Sequence, residues 1–84
     1  PRTDHLYAEA RYYLGRIAFD RKTFEEAASF FEEATEREAK NAEYFHYLGL
    51  ASAEVAKTAT IFSKPSWASQ ARKAWETAAT LDNK

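Results

Sequence analysis

An all-α chain built of antiparallel helix-turn-helix repeats is what this sequence predicts, on three observations. Apolar side chains recur every three to four positions and strand-type alternation is absent, so the period is helical. Two Gly and two Pro in 84 residues leave few points at which regular backbone is interrupted. Short combinations of residues also return at a fixed distance along the chain, as a repeated helical unit requires.

The first helix is predicted over 4–21, opening near Asp4, with Leu6, Ala10, Tyr13, Leu14 and Ile17 as its apolar stripe. The second, 24–39, starts after Thr23, with Glu26 three residues on to complete a capping box, and presents Phe24, Ala27, Phe31 and Ala34. Asn41 caps the third, whose stripe of Tyr44, Phe45, Leu48, Ala51 and Val55 runs on through Ala59 and Phe62. That continuation predicts a helix over 42–62. The fourth, 65–81, carries Trp67, Ala71, Trp75, Ala78 and Leu81, with Pro65 presetting its first turn and Ser63 or Ser66 as cap. Short connections make neighbouring helices antiparallel.

Composition narrows the function classes. The chain is one domain, 1–84, near the lower size limit for a core without staples, and with no Cys it must rely on two Trp, five Tyr and six Phe. A net charge of -1 with both signs interspersed provides no basic field for nucleic acid. No apolar run approaches the roughly 20 residues of a bilayer span, so a soluble chain without membrane insertion is expected, with no feature that assigns its compartment. It opens on Pro1 without an initiator Met, as a piece of a longer chain would. Catalysis is not expected either: there is no Cys, no Gly-x-Ser-x-Gly elbow and no Gly-rich phosphate loop. His5 and His46 stand apart, outside any ligand cluster. The expectation is a non-enzyme without cofactor or metal.

The repeat locates the units. Ala8-Glu9 returns as Ala42-Glu43 and Leu14-Gly15 as Leu48-Gly49, each 34 residues on, whereas Ala27, Phe31 and Ala34 return as Ala71, Trp75 and Ala78, 44 residues on. Repeat one is therefore about 8–41, and repeat two 42–84 with ten residues inserted at about 56–65. A 34-residue helix-turn-helix unit with Leu-Gly in its first helix and Ala-x3-Phe-x2-Ala in its second resembles the tetratricopeptide repeat, an α-solenoid family. Gly15 and Gly49 would let the second helices approach closely through Ala27 and Ala71, with Phe31 and Trp75 filling the space alongside. Arg11, Ala18, Lys22 and Ala39 depart from the family pattern, Lys22 where it has the turn Gly.

The resemblance implies a module that binds a protein or peptide partner along the concave face of the first helices. Carried over by register, the groove positions are Glu9, Tyr12, Arg16, Phe19 and Asp20, then Glu43, His46, Leu50, Ala53 and Glu54, with Lys57 and Thr60 continuing the line. This mixture suits a peptide with an apolar anchor and a basic or mixed flank. Two plainer readings stand beside it: Tyr12 and Phe19 as packing residues, and Arg16 with Asp20 as a solvated i,i+4 pair. The Lys and Asn clamp with which some members grip carboxylates is not present, since those sites read Tyr12 and Arg16. Two repeats are fewer than the three usually needed for stability. Trp75, Ala78 and Leu81 on the last helix would then be partly bare, which points to further repeats or to a homo-oligomer as a second reading.

In the insertion, the lengthened third helix followed by an extended return through Ser63-Lys64-Pro65-Ser66 makes a projecting tip of Ile61, Phe62 and Trp67. Either these three side chains pack together and staple the hairpin, or the projection extends the groove wall toward a partner.

Overall fold

The chain forms four α-helices and, among the described residues, no strand: α1 (Arg2–Asp20), α2 (Phe24–Arg37), α3 (Ala42–Thr58) and α4 (Lys64–Asp82). This computed structural model describes residues 2–82, and the side chains of 5–82. Asp4, expected to open α1, thus lies outside the described side chains. Helices pack in chain order, α1 on α2, α2 on α3 and α3 on α4, and α1 does not pack along α4.

The interior is built largely of alanines and aromatic rings. Ala8, Tyr12 and Ala18 of α1 meet Ala27, Ala28, Phe31 and Ala34 of α2, and Tyr44, Leu48 and Ala51 of α3 close the far side. Small residues let the helix axes approach, and the rings fill the gaps that remain. At Gly15 an added Cβ would lie 2.6 Å from Phe31 Cε1, and at Gly49 2.5 Å from Trp75 Cδ1. Both glycines therefore hold the space for an aromatic ring of the next helix, as their spacing suggests.

The connections differ from the sequence expectation in instructive ways. Thr23 does not cap α2 with its side chain: its hydroxyl donates to the Ala18 carbonyl at 3.0 Å, and its N–H bonds the same carbonyl at 3.0 Å. With Lys22 N–H on the Phe19 carbonyl at 2.9 Å, this is a Schellman closure of α1. Lys22 takes φ 65° there, a left-handed conformation that favours glycine. Asn41 caps α3 as expected, its Oδ1 accepting from the N–H groups of Glu43 (3.0 Å) and Tyr44 (3.2 Å).

The ten residues by which the 44-residue offset exceeds the 34-residue one are shared between two helices and do not lengthen α3 alone. α3 ends at Thr58, four residues past Glu54, the counterpart of Asp20, and not at 62. α4 begins at Lys64, four residues ahead of Ala68, the counterpart of Phe24. The remaining two residues enlarge the loop from 21–23 to 59–63. Each helix gains about 6 Å at about 1.5 Å per residue, so the antiparallel pair grows evenly and needs no extended return. Thr58, Thr60 and Ile61, three β-branched residues in four, weaken the helix where the apolar period alone would carry it on. Ala59 is extended at φ −74°, ψ 156°. The predicted staple does not form: Ile61 is 80% exposed and Phe62 90%, while Trp67 turns back, half-buried, onto the core.

Candidate binding surface

The seam between α1 and α3 gathers part of the predicted groove. Tyr12 Oη donates to Glu43 Oε2 at 2.7 Å and accepts from Arg16 Nη1 at 2.8 Å. The Arg16 guanidinium lies 4.5 Å from the centre of the Tyr47 ring, a cation over a π face. Tyr12 stacks obliquely on Tyr44 with centroids 4.8 Å apart, and His46 stands edge-on to Tyr47 at 5.6 Å. A buried aromatic floor therefore carries a rim of Glu9, Arg16, Glu43 and His46.

Electrostatics follow from that burial. The Tyr12 hydroxyl is pushed up to about 12, first by loss of solvent and then by its bond to Glu43, with Arg16 pulling the other way. The bond to Tyr12 raises the Arg16 guanidinium further, and burial raises Tyr44 as well. At neutral pH the seam is a neutral phenol held between a carboxylate and a guanidinium.

Several predicted groove residues are placed otherwise. Tyr12 is buried, at 5% exposure, and serves as floor and not as an apolar anchor for a ligand. Phe19 is half-buried against Phe24 (5.1 Å) and Tyr47 (6.3 Å). The plainer packing reading holds for both. Arg16 bonds Tyr12, and the expected ion pair with exposed Asp20 does not form. Along α3, Leu50, Ala53 and Glu54 are half-buried and Lys57 is exposed, its Nζ 3.1 Å from Glu54 Oε2. Thr60 lies in the loop, its hydroxyl 3.3 Å from Ser63 Oγ. On α4, Trp75 is 40% exposed and Leu81 half-buried, but Ala78 is buried and takes no part in a bare face.

A surface absent from the sequence reading lies on α1. Leu6 (63% exposed), Tyr13 (55%), Leu14 (41%) and Ile17 (51%) form the stripe expected to be core, yet among the described residues no helix covers it. The buried line of α1 is instead Ala8, Tyr12, Gly15 and Ala18. The reason is packing: among the described residues α1 has neighbours on its α2 and α3 side alone, so its second apolar stripe stays in water. The 34-residue relation to α3 carries the signal that finds it, because the α3 counterparts are those against which α2 packs.

Comparison with protein-family models, curated proteins and solved structures finds no match to this chain.

Proposed function

We propose that this chain is a non-catalytic protein-interaction module of tetratricopeptide type, holding a peptide or helix of a partner against the α1–α3 seam. The observation that carries the reading is the recurrence of one joint. Gly15 against Phe31 and Gly49 against Trp75 are the same glycine–aromatic contact at offsets of 34 and 44 residues, one within each helix pair, and Tyr12 links the two first helices by reaching Glu43 and Tyr44 of α3. Chain-order packing, with α1 not closing onto α4, also favours a repeat over a closed bundle. With Tyr12 and Phe19 committed to the core, Leu50 and Ala53 are the apolar contacts left on this face, and Glu9, Arg16, Glu43 and His46 supply charge and hydrogen bonds. Recognition is then chiefly polar.

The test is an array of peptides with one apolar residue and basic, acidic or mixed flanks, followed by titration of the best binder. Glu9→Arg with His46→Glu, both exposed positions, should weaken binding at least about tenfold while leaving the helical circular dichroism intact. Unchanged affinity in the folded double variant would sink the groove reading. The second reading, self-association, draws on a different observation: the exposed apolar stripe of α1.

A further inference from the structure

The bare face of α1 has a covered counterpart in the same molecule. Moving 34 residues along the chain carries Tyr13, Leu14 and Ile17 onto Tyr47, Leu48 and Ala51 of α3. On α1 these residues are 55%, 41% and 51% exposed, whereas on α3 Leu48 and Ala51 are buried and Tyr47 is half-buried, with α2 packed on that helix. Among the described residues no second helix packs on this face of α1 as α2 packs on α3.

The opposite end of the molecule has such a helix, with its own outer face unoccupied. A shift of 44 residues carries Phe31, Glu32 and Thr35 of α2 onto Trp75, Glu76 and Ala79 of α4. Phe31 and Thr35 are 0% and 8% exposed, while Trp75 is 40% exposed and Ala79 is open to solvent. Two contacts between α2 and α3 then define a pairing. Phe31 meets Tyr47 with ring centroids 5.6 Å apart, and its transposed equivalent is Trp75 on Tyr13. Glu32 lines a groove of about 230 Å³ with Phe45 and Leu48, and its equivalent is Glu76 beside Arg11 and Leu14. Arg11 pairs with Glu33 at 3.7 Å, and the five donors of a guanidinium leave room for a second carboxylate. The corresponding groove of α1 and α2, about 220 Å³, is lined by Leu14, Glu26 and Phe30, the counterparts of Leu48, Gln70 and Ala74 around the other groove. It lacks the acidic side chain that a preceding helix supplies there.

We propose that α4 of one copy seats on α1 of the next, so that the chain associates head to tail through Trp75 on Tyr13 and Glu76 beside Arg11. This specifies the self-association reading and rests on the internal repeat, not on the groove. Such a contact uses two different faces, so it does not close on itself and propagates as an open stack. Arg72 occupies the place of buried Ala28, which puts a cation into the joint and keeps it weak and concentration-dependent.

Sedimentation equilibrium over a wide concentration range tests this with variants at exposed positions, each checked for folding by circular dichroism. The wild type should gain mass with concentration without reaching a plateau at the dimer. Ile17→Glu and Ala79→Glu should each weaken association at least about 100-fold. Mixed together, these two variants should form a one-to-one dimer and nothing larger, because only one intact face of each remains. Arg72→Ala should tighten association about tenfold. A wild type that stays monomeric at millimolar concentration overturns this inference and the self-association reading together. A dimer blocked by Ile17→Glu but not by Ala79→Glu overturns the head-to-tail joint and leaves symmetric association through α1 standing. An unchanged affinity in Arg72→Ala likewise overturns the pairing.

Discussion

Gly15 and Gly49 perform one task against rings of different freedom, and that difference is measurable. A Cβ at Gly15 would meet three atoms of Phe31 between 2.6 and 2.9 Å, and Phe31 is fully buried with no direction in which to yield. A Cβ at Gly49 would press on Trp75 from 2.5 Å, but Trp75 is 40% exposed and can swing outward. Alanine improves helix propensity by about 1 kcal/mol at either site, against an overpacking cost of about 1–3 kcal/mol. Gly15→Ala is therefore expected to lose about 1–2 kcal/mol in urea denaturation and Gly49→Ala about 1 kcal/mol or less, and the reverse ranking would refute the argument. Tyr12 supplies a second residue-scale expectation. Its hydroxyl titrates near 12 in the fold against an ordinary value of 10.0. A group raised on folding contributes fully below its unfolded value and loses that contribution as pH climbs through the folded one. Stability should thus fall by about 2–3 kcal/mol on this account between about pH 10 and 12. Tyr12→Phe should lose about 1 kcal/mol near neutral pH for its missing hydrogen bonds and show a shallower alkaline decline. An unaltered decline in that variant would place the alkaline sensitivity elsewhere.

At the scale of elements, the enlarged α3–α4 hairpin separates its tip from its wall. Ile61 and Phe62 sit in water at 80% and 90% exposure, whereas Trp67, one helical turn into α4, packs on the core. Ile61→Ser with Phe62→Ser is expected to leave the thermal midpoint unchanged within about 0.5 kcal/mol of stability, and Trp67→Ala to cost about 2 kcal/mol. A large loss in the tip variant would mean that the staple forms after all. The same hairpin marks how far the sequence is legible. The number, order and type of helices follow from the period of Leu48, Ala51 and Val55 and their equals, because burying one stripe is what stabilises a helix. The end of α3 does not follow, since Ala59 and Phe62 keep the period while Thr58, Thr60 and Ile61 oppose it and α4 begins too early to receive them. The rotation of α1 is misread for a related reason. Leu6, Tyr13, Leu14 and Ile17 have the spacing of a core stripe, but among the described residues no helix packs on that side. Within the candidate groove, Glu9, His46 and Lys57 are exposed as the register implies. Tyr12 is not, because a tyrosine satisfies a core and a surface equally well until the partners of its hydroxyl are known.

For the whole molecule, packing in chain order implies that stability is not shared evenly. α2 and α3 have a helix on each side, whereas α1 and α4 stand at the ends. α1 is held back by Tyr12, which reaches Glu43 and Tyr44 of α3. α4 is held by α3 in the most extensive helix pairing of the fold, through buried Ala71, Ala74 and Ala78, Trp75 over Gly49, the half-buried Trp67 and the Gln70 amide, which donates to buried Ser52 at 3.1 Å. In an array where each element contacts its neighbours alone, an end helix opens at the cost of a single interface. Native-state hydrogen exchange on dilute protein should therefore show amides of the end helices α1 and α4 exchanging before the centres of α2 and α3. Uniform protection across all four helices would mean that the chain unfolds as one cooperative unit in spite of its linear packing. Raising the protein concentration extends the measurement. If α4 seats on α1 of another copy, both end helices gain protection together while α2 and α3 do not change, a pattern that general stabilisation of the monomer would not produce.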